Sequence, residues 1–264
     1  MYIEAIHTEL IERDQSLFRV LQDNLSTPLK ERTIVCVTSK VVALEQGRLA
    51  RLVEITPSAQ AQEIQELRFS EDSEPKAEFA ELVLREADRV FVDMNEPGYV
   101  FLTLKDNVLV ANAGIDLSNV PSGYAVLWPD DPWTWARDFR EKLRVHYNLQ
   151  DVGVLVTDSH VKPLRRGVTG VAIGYSGFVG IRSEIGHLDI FGKPLKFTEI
   201  AVADSLAAVA VFMMGESAEQ TPFALIKDPP VTFTEALPTP AENYFAPKFD
   251  LYAPLYTEHF RTSE

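Results

Sequence analysis

Apolar residues at Leu17, Val20, Leu21 and Leu25 recur with helical spacing and predict a short helix over residues 17–25. Thr33–Val42 is a β-branched, mostly apolar run that carries T-S-K (residues 38–40) at its end and reads as a strand. Residues 59–67 and 77–87 have helical periodicity, the second with an acidic outer face, and the S-E-D-S-E-P between them (residues 70–75) reads as a charged loop. Arg89–Asp93 is a strand candidate, and Tyr99–Leu104 and Val108–Asn112 flank a turn at Lys105-Asp106-Asn107, which predicts a hairpin. W-P-D-D-P opens a helix over Trp133–Val145, and Val152–Thr157 is apolar enough for a buried strand. Glycines at 167, 170, 174, 177 and 180 make Gly167–Ile181 a strand or a set of tight turns near a ligand, not a helix. Ile200–Met214 is the strongest helical stretch and stops at Gly215.

Beyond Asp228 the pattern breaks. Six prolines block regular structure, while Phe233, Tyr244, Phe245, Phe249, Tyr252 and Tyr256 are too apolar for a free tail. Residues 228–264 are therefore expected as an extended arm lying on their own subunit or a neighbour. Residues 1–227 form the main region, as one domain or two interlocked subdomains, and the length of 264 residues allows either.

Composition narrows the partners. A hydrophobic share of 46% supplies a full core, so disorder is not expected. A net charge of -14 argues against nonspecific binding of nucleic acid or anionic membrane, since both need a basic face. The single cysteine, Cys36, sits in T-I-V-C-V, reads as a buried structural thiol and excludes an intrachain disulfide. The acidic N-terminal stretch does not read as a signal peptide, and no apolar run reaches the ~18 residues of a membrane span. The expected location is the cytoplasm.

Four places carry candidate chemistry. In N-A-G-I-D-L-S-N (residues 112–119) a glycine turns the backbone and presents Asp116, a ligand for a hard divalent cation, with Asn119 able to hydrogen-bond a sugar or phosphate. The bland alternative is an Asx-type turn capping a strand. In V-L-V-T-D-S-H (residues 154–160) Asp158 stands at a strand end, where open α/β sheets bind ligands, and Ser159 can complete a metal shell; the alternative is a cap. His160 is a further ligand or base candidate, although a lone histidine is more often neither. Ser39 and Lys40 close the first apolar strand and suit phosphate contact, without the Gly-rich loop of a P-loop. After the long helix, Glu216 or Glu219 could join a metal site or form a solvated acidic turn. Signatures of zinc hydrolases, α/β-hydrolases and Rossmann enzymes are missing from the sequence.

In order, T-S-K, A-N-A-G-I-D-L-S-N-V, L-V-T-D-S, the G-x-x-D-x-x-G run Gly186–Gly192, A-D-S-L-A-A and the M-G-E…P stretch Met214–Pro222 resemble the coenzyme F-420-0:L-glutamate ligases, the γ-glutamyl ligases of deazaflavin coenzyme synthesis. The resemblance covers about Thr33 to Lys227. It implies an α+β, two-domain fold built as an intertwined homodimer. It also implies GTP as co-substrate, Mg2+ or Mn2+, a monovalent cation such as K+, and transfer of L-glutamate to a carboxylate acceptor through an acyl phosphate. By the same resemblance Asp116, Asp158, Ser159 and Glu216 match metal positions, and Ser39, Lys40 and Asn119 match guanine-nucleotide contacts. The backbone from Gly215 through Glu216 and Ser217 lies at the nucleotide, and Lys40 and Arg165 are electrostatic helpers of catalysis.

The chain departs from that pattern in its surroundings. The family's T-S-K-I-V-S-K-A-E-G-R is T-S-K-V-V-A-L-E-Q-G-R here, so Leu44 replaces a lysine and Gln46 a glutamate. After Asp158 the family's G-R-x-W-R becomes Val161, Lys162, Leu164 and Arg165. These losses leave two alternatives to a ligase: a non-catalytic nucleotide or metabolite binder on the same scaffold, and a metal-dependent phosphohydrolase.

Overall fold

The computed structural model describes residues 1–68, 76–91, 100–244 and 249–254. The loop expected at 70–75, positions 92, 93 and 99 of the expected strands, and the tail aromatics Phe245 and Tyr256 lie outside the described residues. In chain order the elements are β1 (Tyr2–Ile6), α1 (Leu17–Asn24), β2 (Thr33–Thr38), α2 (Ser39–Glu45), β3 (Leu49–Arg51), α3 (Ala59–Arg68), α4 (Ala77–Glu86), β4 (Arg89–Val90), β5 (Leu102–Lys105), β6 (Val108–Ala111) and β7 (Tyr124–Val126). They continue as α5 (Pro132–Tyr147), β8 (Val152–Val161), β9 (Val168–Ser176), β10 (Ile181–Ser183), β11 (Glu199–Ala201), α6 (Val202–Met214), β12 (Phe223–Lys227) and α7 (Pro240–Asn243). The class is α+β, with several separate sheets.

The chain forms two compact units. The first comprises Met1–Leu49 and Trp128–Thr239; the second comprises Ala50–Leu127 and the chain from Pro240 onward. Thus residues 228–239 of the expected arm belong to the first unit and the later ones to the second.

The first unit is built on a five-stranded sheet in the order β1-β12-β2-β8-β9. β2 and β8 run parallel, and the other neighbours are antiparallel. Both parallel strands are continuous apolar runs because both of their faces are covered. Ile34, Cys36 and Leu155 point into one cluster with Ala203, Leu206, Ala207, Ala210 and Met214 of α6. Their alternates Val35, Val37, Val154 and Val156 are equally buried on the opposite face, toward which α5 packs. Cys36 is the structural thiol expected, and burial pushes its pKa up. α5 starts where W-P-D-D-P directs it: Asp131 accepts from the Thr134 N–H at 3.0 Å, and Pro132 fills the first turn.

One glycine sets how closely α6 approaches. A Cβ on Gly170 of β9 would lie 2.1 Å from the Ala207 carbonyl oxygen, so helix backbone rests directly on strand backbone. Nearby, Asp204 in the first turn of α6 accepts from the Ala172 N–H at 3.0 Å. Residues 231–235 form a strap over the β9–β10 turn, with Val179 N–H donating to Thr232 and Thr234 N–H to Gly177. The buried Arg140 guanidinium anchors the strap through Glu235 at 2.6 Å.

In the second unit, Ala61, Ile64, Phe79, Leu82 and Val83 of α3 and α4 pack with Phe101, Ile115, Ala125 and Leu127. Glu81 is buried there and is satisfied by the Ser58 N–H at 2.9 Å and by Arg85 at 2.7 Å. β4, β5 and β6 form one sheet and β3 and β7 another.

Three sequence expectations need correction. The strand expected over Thr33–Val42 ends at Thr38, and Ser39–Glu45 is helical. The β-branched Val41 and Val42 read as strand, but with Ser39 and Ala43 they are buried within the helix, and tertiary packing overrides propensity. The strand expected over Val152–Thr157 continues to Val161, because β9 keeps pairing with it past the apolar run. The helix expected over Ile200–Met214 begins at Val202, since Glu199–Ala201 pairs with Ile181–Ser183.

Candidate active site

The parallel pairing of β2 and β8 creates the first half of the candidate site. Their register ends at Thr38 opposite Thr157. Beyond it β2 turns into α2, while β8 runs on with β9 as its partner. The next residue on each side is therefore brought alongside the other, and the Ser39 hydroxyl donates to Asp158 Oδ1 at 2.8 Å. Ser39 is only 8% exposed and Asp158 is half-buried, so this bond is partly shielded from water. The place is the carboxyl end of two parallel strands, the usual ligand position in open sheets.

Ser159 follows on β8 and, by strand alternation, faces the other way. Its register partner is Gly170, against which α6 rests. α6 ends at Gly215 and delivers Glu216 to that same face, where the Ser159 hydroxyl donates to both carboxylate oxygens at 2.7 and 2.8 Å. The loop after α6 is closed by the Thr221 hydroxyl, which donates to the Met214 carbonyl. Within it the Glu219 carboxylate lies over the open side of Gly215 and accepts from the Ser217 N–H at 2.8 Å. Glu219 thus organises the backbone at Gly215 and Ser217.

Asp116 belongs to the second unit. The three residues that precede Ile115 are all left-handed: Asn112 (φ 54), Ala113 (φ 53) and Gly114 (φ 72). This run drives Ile115 into the core and leaves the Asp116 carboxylate half-exposed. Asp116 is locked to Val126 by backbone bonds in both directions, at 3.0 and 2.9 Å. Its Oδ1 accepts from the Ser118 N–H at 2.7 Å and its Oδ2 from the Ser118 hydroxyl at 3.0 Å. The Asx-type turn is therefore real, and it aims a carboxylate.

The remaining candidates are spread out. Lys40 is the second residue of α2 and half-buried. Arg165 is exposed in the β8–β9 turn, where its N–H donates to Lys162 at 3.2 Å. Asn119 is exposed with φ 56. Gln46 has a structural role: its amide donates to the Asp130 carbonyl at 2.7 Å and accepts from the Asp130 N–H at 2.8 Å. A glutamate at 46 could not donate, so this departure ties the loop before α5 more fully. Leu44 is half-buried, and nothing in the structure explains it. His160 lies on β8 with its Nδ1 buried and without a hydrogen-bond partner among the described residues. Burial holds its pKa below the ordinary imidazole range, against the pull of Asp204.

The structure therefore joins Ser39 to Asp158 and Ser159 to Glu216. Among the described residues it gathers no three His, Cys, Asp or Glu side chains into one cage. Sequence reasoning missed Gly170 and Asp204 as supports. The glycine spacing in 167–180 was a signal for the first, and the acid in the first turn of the strongest helix for the second. Among the described residues no helix is long and apolar enough to cross a membrane.

The α+β scaffold thus places two hydroxyl–carboxylate pairs just beyond the paired ends of β2 and β8. The family model for F420-0:γ-glutamyl ligase matches residues 5–228, and the chain belongs to that family. It is 37% identical over 202 residues to the coenzyme F420:L-glutamate ligase of Methanopyrus kandleri, covering 76% of this chain and 77% of that one. With the enzyme of the same name from Archaeoglobus fulgidus it shares 38% over 233 residues, covering 86% and 88%. With that of Methanococcus maripaludis the figures are 34% over 215 residues, 81% and 83%. The chain is a ligase.

Proposed function

We propose that this ligase joins the amino group of L-glutamate to a carboxylate of an F420-type acceptor, using GTP. The pair of substrates is the one the relatives' names carry. The supporting observation within the chain is the Ser39–Asp158 pair at the carboxyl ends of β2 and β8, with Ser159–Glu216 on the adjoining residue. In the proposed reaction an acceptor carboxylate oxygen takes the γ-phosphoryl group, giving an acyl phosphate and GDP. The glutamate nitrogen then attacks the acyl carbon, the C–O bond to phosphate breaks, and the ammonium proton is lost to solvent or base.

Asp158, the Ser159–Glu216 pair on the opposite face of β8, and Asp116 of the second unit are each proposed as ligands of Mg2+ or Mn2+. The fit rests on donor chemistry: carboxylates and a hydroxyl, all hard oxygen. Such a cation would neutralise polyphosphate charge. Ser39 orients Asp158, and Lys40 and Arg165 supply positive charge to the phosphates. Asn119 in the second unit and the Gly215–Ser217 backbone in the first are each proposed as nucleotide contacts, and K+ is a further proposed ion. The test is turnover by the purified full chain with Mn2+, GTP, L-glutamate and coenzyme F420-0. GDP formation that depends on both glutamate and acceptor is expected. Phosphate release that ignores glutamate would mark a phosphohydrolase and overturn the reading.

A second copy of this chain is the proposed partner. Ile185, Leu188, Ile190, Phe191 and Phe197, between β10 and β11, are all exposed, a costly arrangement for a ribbon left in water. Light scattering should give twice the chain mass, and Phe191→Asp should shift it toward the monomer.

A further inference from the structure

We infer that Thr103, acting through the backbone of Ala113, is the positioning residue that sets Asp116 for cation binding; this rests on the proposed metal role of Asp116. Thr103 lies in β5 opposite Val110 of β6 and is fully buried. Its hydroxyl uses both of its capacities. It donates to the Val110 carbonyl at 2.6 Å and accepts from the Ala113 N–H at 2.8 Å.

Ala113 is the residue that most needs such a hold. It is a non-glycine residue at φ 53 and ψ 28, fully buried, in the middle of the left-handed run. L-residues avoid this region because Cβ crowds the carbonyl. Its N–H points inward, where water cannot satisfy it, so losing the Thr103 oxygen would strand a buried donor. Phe101, just before β5, pins Asn112: its N–H donates to Asn112 Oδ1 at 2.8 Å and its carbonyl accepts from the Asn112 N–H at 2.8 Å. Phe101 and Thr103 thus hold consecutive residues of the run by two separate attachments.

Downstream, Asp116 is fixed by Val126, and its carboxylate by Ser118. The left-handed run therefore fixes the direction in which the chain enters Asp116. Removing the Thr103 hydroxyl releases the middle of the run while leaving the carboxylate chemically intact. A valine at 103 keeps the shape and the β propensity and deletes only the hydrogen bonds, and a serine keeps the hydroxyl and deletes only a methyl.

The experiment measures Mn2+ binding to the full chain by the paramagnetic resonance of free Mn2+, in the presence of a non-hydrolysable GTP analogue. Thr103→Val is expected to weaken Mn2+ binding about ten-fold, the scale for loss of a supporting bond behind a metal ligand. Thr103→Ser should stay within about two-fold of the parent chain, although it too loses packing. A folded Thr103→Val that binds Mn2+ as tightly as the parent overturns the inference. So does equal weakening in Thr103→Ser, which would trace the effect to packing. If Thr103→Val does not fold, Thr103→Ala replaces it; failure of both marks Thr103 as a determinant of the fold and likewise overturns the specific role. Absence of Mn2+ binding in the parent chain would instead defeat the proposed metal function.

Discussion

Asp158 and Asp116 are both acids in turn-like sequence settings, yet they are held by different means. Asp158 is met by a serine 119 residues away, and its neighbour Ser159 by a glutamate 57 residues away. Asp116 is held by Ser118, two residues on, and by a hairpin next to it in the sequence. The first arrangement depends on the whole sheet being assembled. The second depends on local backbone conformation. Damage to the sheet should therefore reach the Asp158 side first, and damage to one turn should reach Asp116 alone.

The harshest test removes each charge. Asp158→Asn and Asp116→Asn should each lower glutamate-dependent GDP formation ~100-fold or more, if each carboxylate is a cation ligand in turnover. Retention of over half the activity in either variant would remove that acid from the site, and the comparison with it.

What was legible in the sequence follows the same division. The Asx-type turn at Asp116 could be read directly because its partners are within a few residues. The apolar runs of β2 and β8 were also legible, since strands covered on both faces carry no polar alternation. The Ser39–Asp158 bond was not, because it exists only once two distant strands lie parallel and end together. α2 was misread because its valines favour strand until packing decides otherwise. β1 and β12 went unmarked: Y-I-E-A-I and F-A-L-I-K are five residues each, and each has the other as partner across nearly the whole chain.

A second contrast concerns one methyl group. Gly170→Ala places a Cβ into the Ala207 carbonyl and should cost ~3 kcal/mol in denaturant unfolding, with loss of the Ser159–Glu216 alignment. Ala113→Gly removes a methyl from a left-handed position. Relief of backbone crowding and loss of a buried CH3 nearly cancel, so stability should move by under ~0.5 kcal/mol. Similar changes for the two variants would mean that α6 can shift off β9 freely.

The hydroxyls give a finer comparison. Ser39→Ala should raise the Mn2+ concentration for half-activation ~10-fold, whereas Ser118→Ala should raise it less than ~3-fold, because Asp116 keeps the Ser118 N–H. The reverse order would show that the local turn, not the sheet, limits metal binding.

The smallest effect concerns pH. The Arg140 hydrogen bond holds the Glu235 carboxyl below its ordinary range. The folded chain therefore binds that proton less readily than the unfolded one. The resulting stability is present above the unfolded value of about 4.3 and is lost as pH falls through the lower folded value. Glu235 is largely exposed, so Glu235→Gln should cost under ~1 kcal/mol at pH 7 and should flatten that acid-side slope in thermal melts. An unchanged slope would mean that the strap over β9–β10 does not depend on this ion pair.

The strand order β1-β12-β2-β8-β9 has a consequence for how the protein is made. On the ribosome β1 emerges first, but its neighbour β12 is the last strand of the sheet to be synthesised. β2 likewise waits for β8 until all of residues 50–127 have left the exit tunnel. A nascent chain thus carries two apolar strands with open edges for most of its synthesis, and translation that stalls before Phe223 leaves them without β12. Chains that end before Phe223 should therefore engage chaperones and aggregate more readily than the full chain does.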